Sequence, residues 1–272
     1  MRVGILVPGE GDFAAKIKKV RSIGFRSGQV SIWDMSLYTE AFAEKMKAIC
    51  AENDFEIMSL WCGWSGPVDW TYPGMYATLG LVPAWLRNQR MNDLMNGAAF
   101  GCLLGIKDIV THIGYIPDNP FCDDYLGVTN ALSVIGTELK KHGQRLLFET
   151  GEELPVTLVQ MMKATGLDNL GVNLDPANLT TSGRANAVDA LTYFGPFLMG
   201  MHAKDGLRPK PGEAHGEEVP IGQGHANFPE LIRILKEIGF DNDVVIEREG
   251  VSDDVWENDI AGAKAYLEAL IG

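Results

Sequence analysis

The chain has 272 residues, 46% of them hydrophobic, enough for one large core or at most two modest ones. Its formal charge of −13 argues against a nucleic-acid phosphate backbone as partner, and no apolar run is long enough to span a bilayer. The four cysteines, Cys50, Cys62, Cys102 and Cys122, form no Cys-x-x-Cys pair and read as core thiols of a reducing, cytoplasmic compartment rather than disulfides or zinc ligands.

The opening "MRVGILVPGEGDF" reads as a first strand and its loop, without the small-residue cleavage site of a signal peptide. Apolar, β-branched runs then recur down the chain: "RVGILVPG" (2–9), "QVSIWD" (29–34), "EIMSLWCGW" (56–64), "DIVTHIG" (108–114), "RLLFETG" (145–151), "LGVNLDP" (170–176), "LMGMHAKD" (198–205) and "DVVIEREG" (243–250). Between them lie helical patterns such as 38–53 and 228–238, with apolar residues at three- and four-residue intervals. Gly24, Gly105, Gly143, Gly166 and Gly239 stand where such helices close. Near-continuous apolar strands alternating with helices imply a parallel sheet covered on both faces, and eight units in a chain of this length predict a single (β/α)8 TIM barrel over residues 1–272. An open doubly wound sheet is the rival, but "PGEGDF" is not G-x-G-x-x-G and no phosphate loop occurs elsewhere. Two stretches exceed ordinary loops: 63–83, rich in Gly, Pro, Trp and Tyr, and 206–227, rich in Gly, Pro and charge.

In a parallel barrel the C-terminal strand ends share one mouth, where the chemistry sits. Those ends carry His112, Glu149, Asp175, His202 with Lys204 and Asp205, and Glu247 with Arg248 and Glu249. Glu149, Asp175 and His202 follow one another at intervals of 26 and 27 residues, one βα unit each. Three carboxylates in one low-dielectric mouth repel unless a cation holds them. A divalent metal ligated by Glu149, Asp175, His202 and Glu247 resolves the conflict; Mn²⁺ suits the oxygen-rich set best, with Mg²⁺, Co²⁺ and Zn²⁺ as alternatives. Each residue alone has a plainer explanation: a lone glutamate as a salt bridge, Asp175 before Pro176 as a turn, His202 as a hydrogen-bonded core imidazole. Four in consecutive units are harder to explain by packing. His142 and His215 read as surface residues and His225 as a loop-shaping one.

At these residues the chain resembles the xylose-isomerase-like sugar-phosphate isomerase/epimerase superfamily. The resemblance covers essentially the whole chain and lies in "LLFETG", "VNLDPAN", "MHAKDG", "GEEVPIGQGHANFPELIRILKEIGF" and "VVIEREG". The last two look most like the ketose 3-epimerase and 3-keto-sugar branch. The resemblance implies the same four metal ligands, with Glu149 and Glu247 doubling as acid/base groups on opposite faces of a substrate. It also implies that Arg208, six residues after His202, binds a substrate oxygen. Those epimerases carry His three residues after the aspartate; this chain has Asn178, which hydrogen-bonds but carries no charge.

The expected reaction is epimerisation or isomerisation of a keto sugar or related cyclitol. The α-carbon loses its proton, the ion acts as a Lewis acid towards the enediolate, and one glutamate takes a proton while the other delivers one. Trp61 and Trp64, with Trp70 and Tyr72, are expected as apolar walls, and His112 as a substrate hydrogen-bonder. A lyase or dehydratase on a keto sugar, inosose or keto-glycoside would use the same site; a non-catalytic sugar-binding barrel or assembly subunit would not need two opposed carboxylates. The expected partner is a small molecule, with no nucleic acid and no membrane. The number of copies, a homo-oligomer included, stays open.

Overall fold

Eight parallel strands close on themselves in a computed structural model that describes residues 1–71, 73–151 and 153–272; Tyr72 lies outside the described residues. The strands are β1 (Arg2–Pro8), β2 (Ser27–Ile32), β3 (Glu56–Cys62), β4 (Asp108–His112), β5 (Arg145–Glu149), β6 (Leu170–Leu174), β7 (Leu198–Ala203) and β10 (Asp243–Ile246). A separate hairpin, β8 (Asp205–Leu207) with β9 (Glu217–Val219), pairs antiparallel just after β7. The helices are α1 (Phe13–Ser22), α2 (Glu40–Glu52), α3 (Gly74–Thr78), α4 (Ala84–Leu104), α5 (Asp123–Lys141), α6 (Pro155–Thr165), α7 (Pro176–Thr181), α8 (Ala187–Phe194), α9 (Phe228–Glu237) and α10 (Asp253–Ile271). Each barrel strand pairs with its chain neighbours, and β1 closes the ring on β10 with Arg2 opposite Asp243 and Ile5 opposite Ile246. This is the expected single (β/α)8 barrel.

β2, β4, β6 and β10 are buried along their whole length, as parallel strands covered on both sides must be. Local chemistry starts the helices: Asp12 caps α1 through the amide of Ala15, Thr39 caps α2, and Asn186 caps α8. All five glycines expected to close helices have positive φ, from +68° at Gly143 to +98° at Gly24. The strand N-termini are tied by ions, with Arg145 forked onto Asp108 at 2.6 Å twice and Arg2 on Asp243 at 2.9 Å. None of the described helices is long and apolar enough to cross a membrane.

Two sequence expectations change in detail. Neither long stretch is structureless: α3 sits within 63–83, and the β8–β9 hairpin occupies much of 206–227. Asp205 organises the second, its carboxylate accepting from the amides of Gly206, Gly222, Gly224 and Ala226. A side chain at Gly224 would collide with that carboxylate, its Cβ falling 2.1 Å from Asp205 Oδ1. All four cysteines are free thiols, but only Cys50 and Cys62 are buried; Cys102 is exposed and Cys122 half-buried.

Candidate functional site

Side chains alternate between the barrel interior and the helix layer, so every second residue of a strand faces inward. On β7 and beyond that parity selects His202 and Lys204; on β5, Glu149; past β6, Asp175; past β10, Glu247. Glu149, Asp175, His202 and Glu247 converge, with one ligand-type atom from each lying within 4.8 Å of the others and all four buried. His202 Nδ1 is the hub, 3.2 Å from Glu149 Oε1, 3.1 Å from Glu247 Oε2 and 3.7 Å from Asp175 Oδ2.

Supporting hydrogen bonds aim each group. Asp175 splits its carboxylate: Oδ1 caps α7 through the amide of Asn178 at 2.9 Å, and Oδ2 points at the hub. Thr150 ties the two strand ends by donating to Asp175 O and accepting from Asp175 N. The far nitrogen of His202, Nε2, lies 2.9 Å from Gln29 Oε1, and Gln29 Nε2 donates to Ser59 Oγ. With Gln29 so placed, the neutral imidazole carries its proton on Nε2 and turns the Nδ1 lone pair towards three carboxylates. That arrangement fits a cation. Asp175 Oδ2 and Glu247 Oε2 are moreover buried without a hydrogen bond, which is costly for a carboxylate. A divalent ion held by these four side chains would satisfy both oxygens and supply the positive charge that the three carboxylates need.

The electrostatics agree. Burial favours the neutral acid at Glu149, yet the charges of His112 and His202 hold its carboxyl well below the usual range. Lys204 and His202 likewise hold Glu247 down against its burial. Burial, with repulsion from Glu149 and Glu247, pushes Asp175 up to about 6. His202 is raised well above an ordinary imidazole: burial opposes its charge, but the two glutamates outweigh burial. Without metal, protons therefore do the cation's work at His202 and, in mild acid, at Asp175. A metal must displace them, so its affinity should fall by about tenfold per pH unit for each proton displaced as pH drops through 6. Calorimetric Mn²⁺ titrations from pH 8 to pH 5.5, in buffers of differing ionisation enthalpy, read this directly; pH-independent affinity without proton release contradicts it.

The other sequence candidates divide. Trp61, His112 and Asn178 line a cavity of about 760 Å³ that opens above the cluster. Trp61 Nε1 donates to Glu149 Oε2, His112 Nε2 lies 3.5 Å from Glu149 Oε1, and Asn178 Nδ2 donates to the same oxygen at 3.1 Å. All three thus position Glu149 as well as border the cavity. Trp64 does not reach it: the ring is 2% exposed and packs beneath the Arg90 guanidinium at 4.5 Å. Arg90 donates to the carbonyls of Ser65, Pro67 and Gly80 and so holds the 63–83 stretch in place. Arg208 is exposed and not among the residues lining the cavity. Its amide donates to His225 Nδ1, so His225 shapes the loop as expected.

Sequence reasoning places Lys204 at a strand end without a role and gives Trp33 none. Lys204 is buried, lines the cavity, and sets Nζ 3.5 Å from Glu247, 2.6 Å from Glu249 and 3.6 Å from Glu218. Inward parity two residues after His202 was the available signal. Trp33 follows the same rule two residues after Ser31 and four after Gln29.

A family described as xylose isomerase-like TIM barrel matches residues 17–270. The chain belongs to this family. Among relatives of this xylose isomerase-like barrel, an uncharacterized protein of Methanocaldococcus jannaschii is 29% identical over 173 residues, 60% of this chain and only 57% of that protein. A xylose isomerase domain protein of Planctomyces limnophilus superposes with TM-score 0.92 at 26% identity, over 98% of this chain and 96% of its own. A D-psicose 3-epimerase in the presence of D-fructose superposes with TM-score 0.74 at 17% identity, over the full length of both chains. At 15–17% identity the fold is also that of an L-ribulose 3-epimerase, an Escherichia coli 3-keto-D-glucoside 4-epimerase, a probable 3-DHS dehydratase of Bacillus anthracis and a magnesium complex from Mycobacterium smegmatis.

Proposed function

We propose that this protein is a divalent-metal-dependent epimerase or isomerase of a keto sugar or related cyclitol. The observation that carries the reading is that Glu149 and Glu247, from separate strands, meet at His202 Nδ1 and both line one cavity. A divalent ion held by Glu149, Asp175, His202 and Glu247, with Mn²⁺ the best match to three carboxylates and one imidazole, supplies Lewis-acid polarisation of substrate oxygens. Glu149 and Glu247 move the proton at the carbon beside the ketone, one taking it and the other returning it. Return to the opposite face gives an epimer, and return to the neighbouring carbon an isomer. Trp61 and Asn178 fix the Glu149 carboxylate through both oxygens, and the indoles exclude water. Incubating the metal-loaded protein with a panel of ketoses and following products by NMR tests the reading; no conversion across the panel goes against it.

Lys204 favours a second reading. A buried ammonium lining the cavity next to Glu247 suits a departing oxygen, as in a dehydratase working on the same site. Loss of water to give an unsaturated ketone, read by ultraviolet absorbance, separates the two.

Arg208 belongs to this proposal as a substrate contact from the hairpin segment. Being exposed, it contributes little to the fold. Arg208→Ala should change stability by no more than about 0.5 kcal/mol while raising KM. A large fall in Tm with unchanged kinetics contradicts it.

A further inference from the structure

The cavity is larger than one sugar ring requires, and its outer wall is aromatic. Its volume, about 760 Å³, falls in the upper half of the roughly 300–1,000 Å³ that holds drug-sized ligands. Beyond Trp61, which lies against Glu149, the next ring outward is Trp33, with centroids 4.9 Å apart. Trp33 is 38% exposed and Trp70 is 45% exposed, and both line the cavity.

A single exposed tryptophan is ordinary on a protein surface. Trp33 differs in being held rigidly. Its amide donates to Glu10 Oε1, and the amide of Asp34 donates to the same oxygen at 3.2 Å. The edge of its indole meets Trp64 at 5.1 Å with the planes 89° apart. The ring rests on Gly63, where a Cβ would lie 2.5 Å from Trp33 Cε3, so residue 63 must lack a side chain for the ring to sit there. A large apolar face is thus pre-organised beside a polar centre, and covering it costs little conformational entropy.

We infer that the site takes a two-ring substrate, with a keto-sugar ring over the carboxylate–histidine cluster and a second sugar or aryl ring stacked on Trp33. The inference rests on the keto-sugar reading for the inner ring and adds an outer subsite to it. Both kinds of second ring offer a flat C–H or π face, the chemistry an indole recognises.

Binding to the Mg²⁺-loaded protein, followed by calorimetry and saturation-transfer NMR, tests it without turnover. The probes are D-fructose as the single ring, and turanose, lactulose and palatinose as fructose carrying a second sugar at different positions. Phenyl 3-keto-β-D-glucoside serves as the aryl arm. At least one two-ring probe should bind about tenfold or more tightly than D-fructose, about 1.4 kcal/mol; which arm does so identifies the second ring. Trp33→Ala should bring that ratio close to one, and Trp33→Phe should retain most of it. Gly63→Ala, which displaces the ring, should lower the ratio in the same way and serves if Trp33→Ala does not fold. Equal affinity for D-fructose and every two-ring probe, a ratio unchanged in these variants, or no binding by any probe overturns the inference. Preference for a two-ring probe without solvent proton exchange keeps the subsite and removes the epimerase reading. Exchange on D-fructose without that preference does the reverse.

Discussion

Glu149→Gln and Glu247→Gln should each lower kcat by at least about 10²-fold, the scale of a lost general acid or base. Glutamine keeps the size of the side chain and one oxygen that can ligate, so the substitution removes the base with little steric change. The two variants are not equivalent in the fold. Glu149 accepts from Trp61 through Oε2 and from Asn178 through Oε1. A glutamine amide must present its NH₂ to one of these donors, at a cost of about 1–3 kcal/mol for the unmet group. Glu247 faces Lys204, which still has Glu249 at 2.6 Å, so Glu247→Gln should be the milder change in stability. Tm and metal content have to be read alongside turnover, because both residues are also proposed ligands. A metal-loaded, folded variant of either that turns over at near the wild-type rate contradicts the proton-transfer assignment.

Elemental analysis of the wild type should find about one ion per chain, and His202→Ala should abolish that stoichiometric binding. The substitution should also destabilise the metal-free protein. His202 is wholly buried, and its Nδ1 lies between the carboxylates of Glu149, Asp175 and Glu247. Removing one partner from a buried charged set costs roughly 3–5 kcal/mol, since the remaining charges lose their compensation. Part of that loss returns as the carboxylates take up protons, so the deficit should shrink at lower pH. Gln29→Leu gives the graded control. It leaves all four ligands but removes the acceptor that keeps the proton on Nε2, and lost supporting contacts of this kind weaken metal binding by about 10–100-fold. Wild-type stoichiometry and affinity in His202→Ala contradict the ligand assignment.

Much of this site follows from elementary patterning. Eight apolar runs with helices between them leave few arrangements other than a closed parallel barrel, and strand ends in such a barrel converge wherever they lie in the chain. Glu149, Asp175, His202 and Glu247 could therefore be gathered without coordinates. The rest depended on two kinds of information that strand ends do not carry. Inward parity, applied strictly, points to Lys204 and Trp33; without it Lys204 is only one polar residue among several at a strand end, and Trp33 is only the penultimate residue of an apolar run. Loop geometry is the other. Trp64 was expected at the mouth with Trp61, yet the buried Arg90 draws it under the 63–83 stretch. The expectation for Arg208 rests on the family resemblance together with its spacing from His202; the structure places it, exposed, directly after the first strand of the hairpin built on Asp205 and outside the cavity lining. Backbone hydrogen bonds to one carboxylate organise that hairpin, and no periodicity signals them.

If Glu149 and Glu247 move the proton at the carbon next to a ketone, solvent hydrogen must enter at that carbon. Turnover of the keto-sugar panel in D₂O by the metal-loaded protein, read by NMR, tests it most directly. Deuterium should appear at a carbon adjacent to the ketone in product and in recovered substrate, with the label lost in Glu149→Gln and Glu247→Gln. Conversion of a keto sugar with no solvent deuterium in either species would contradict it.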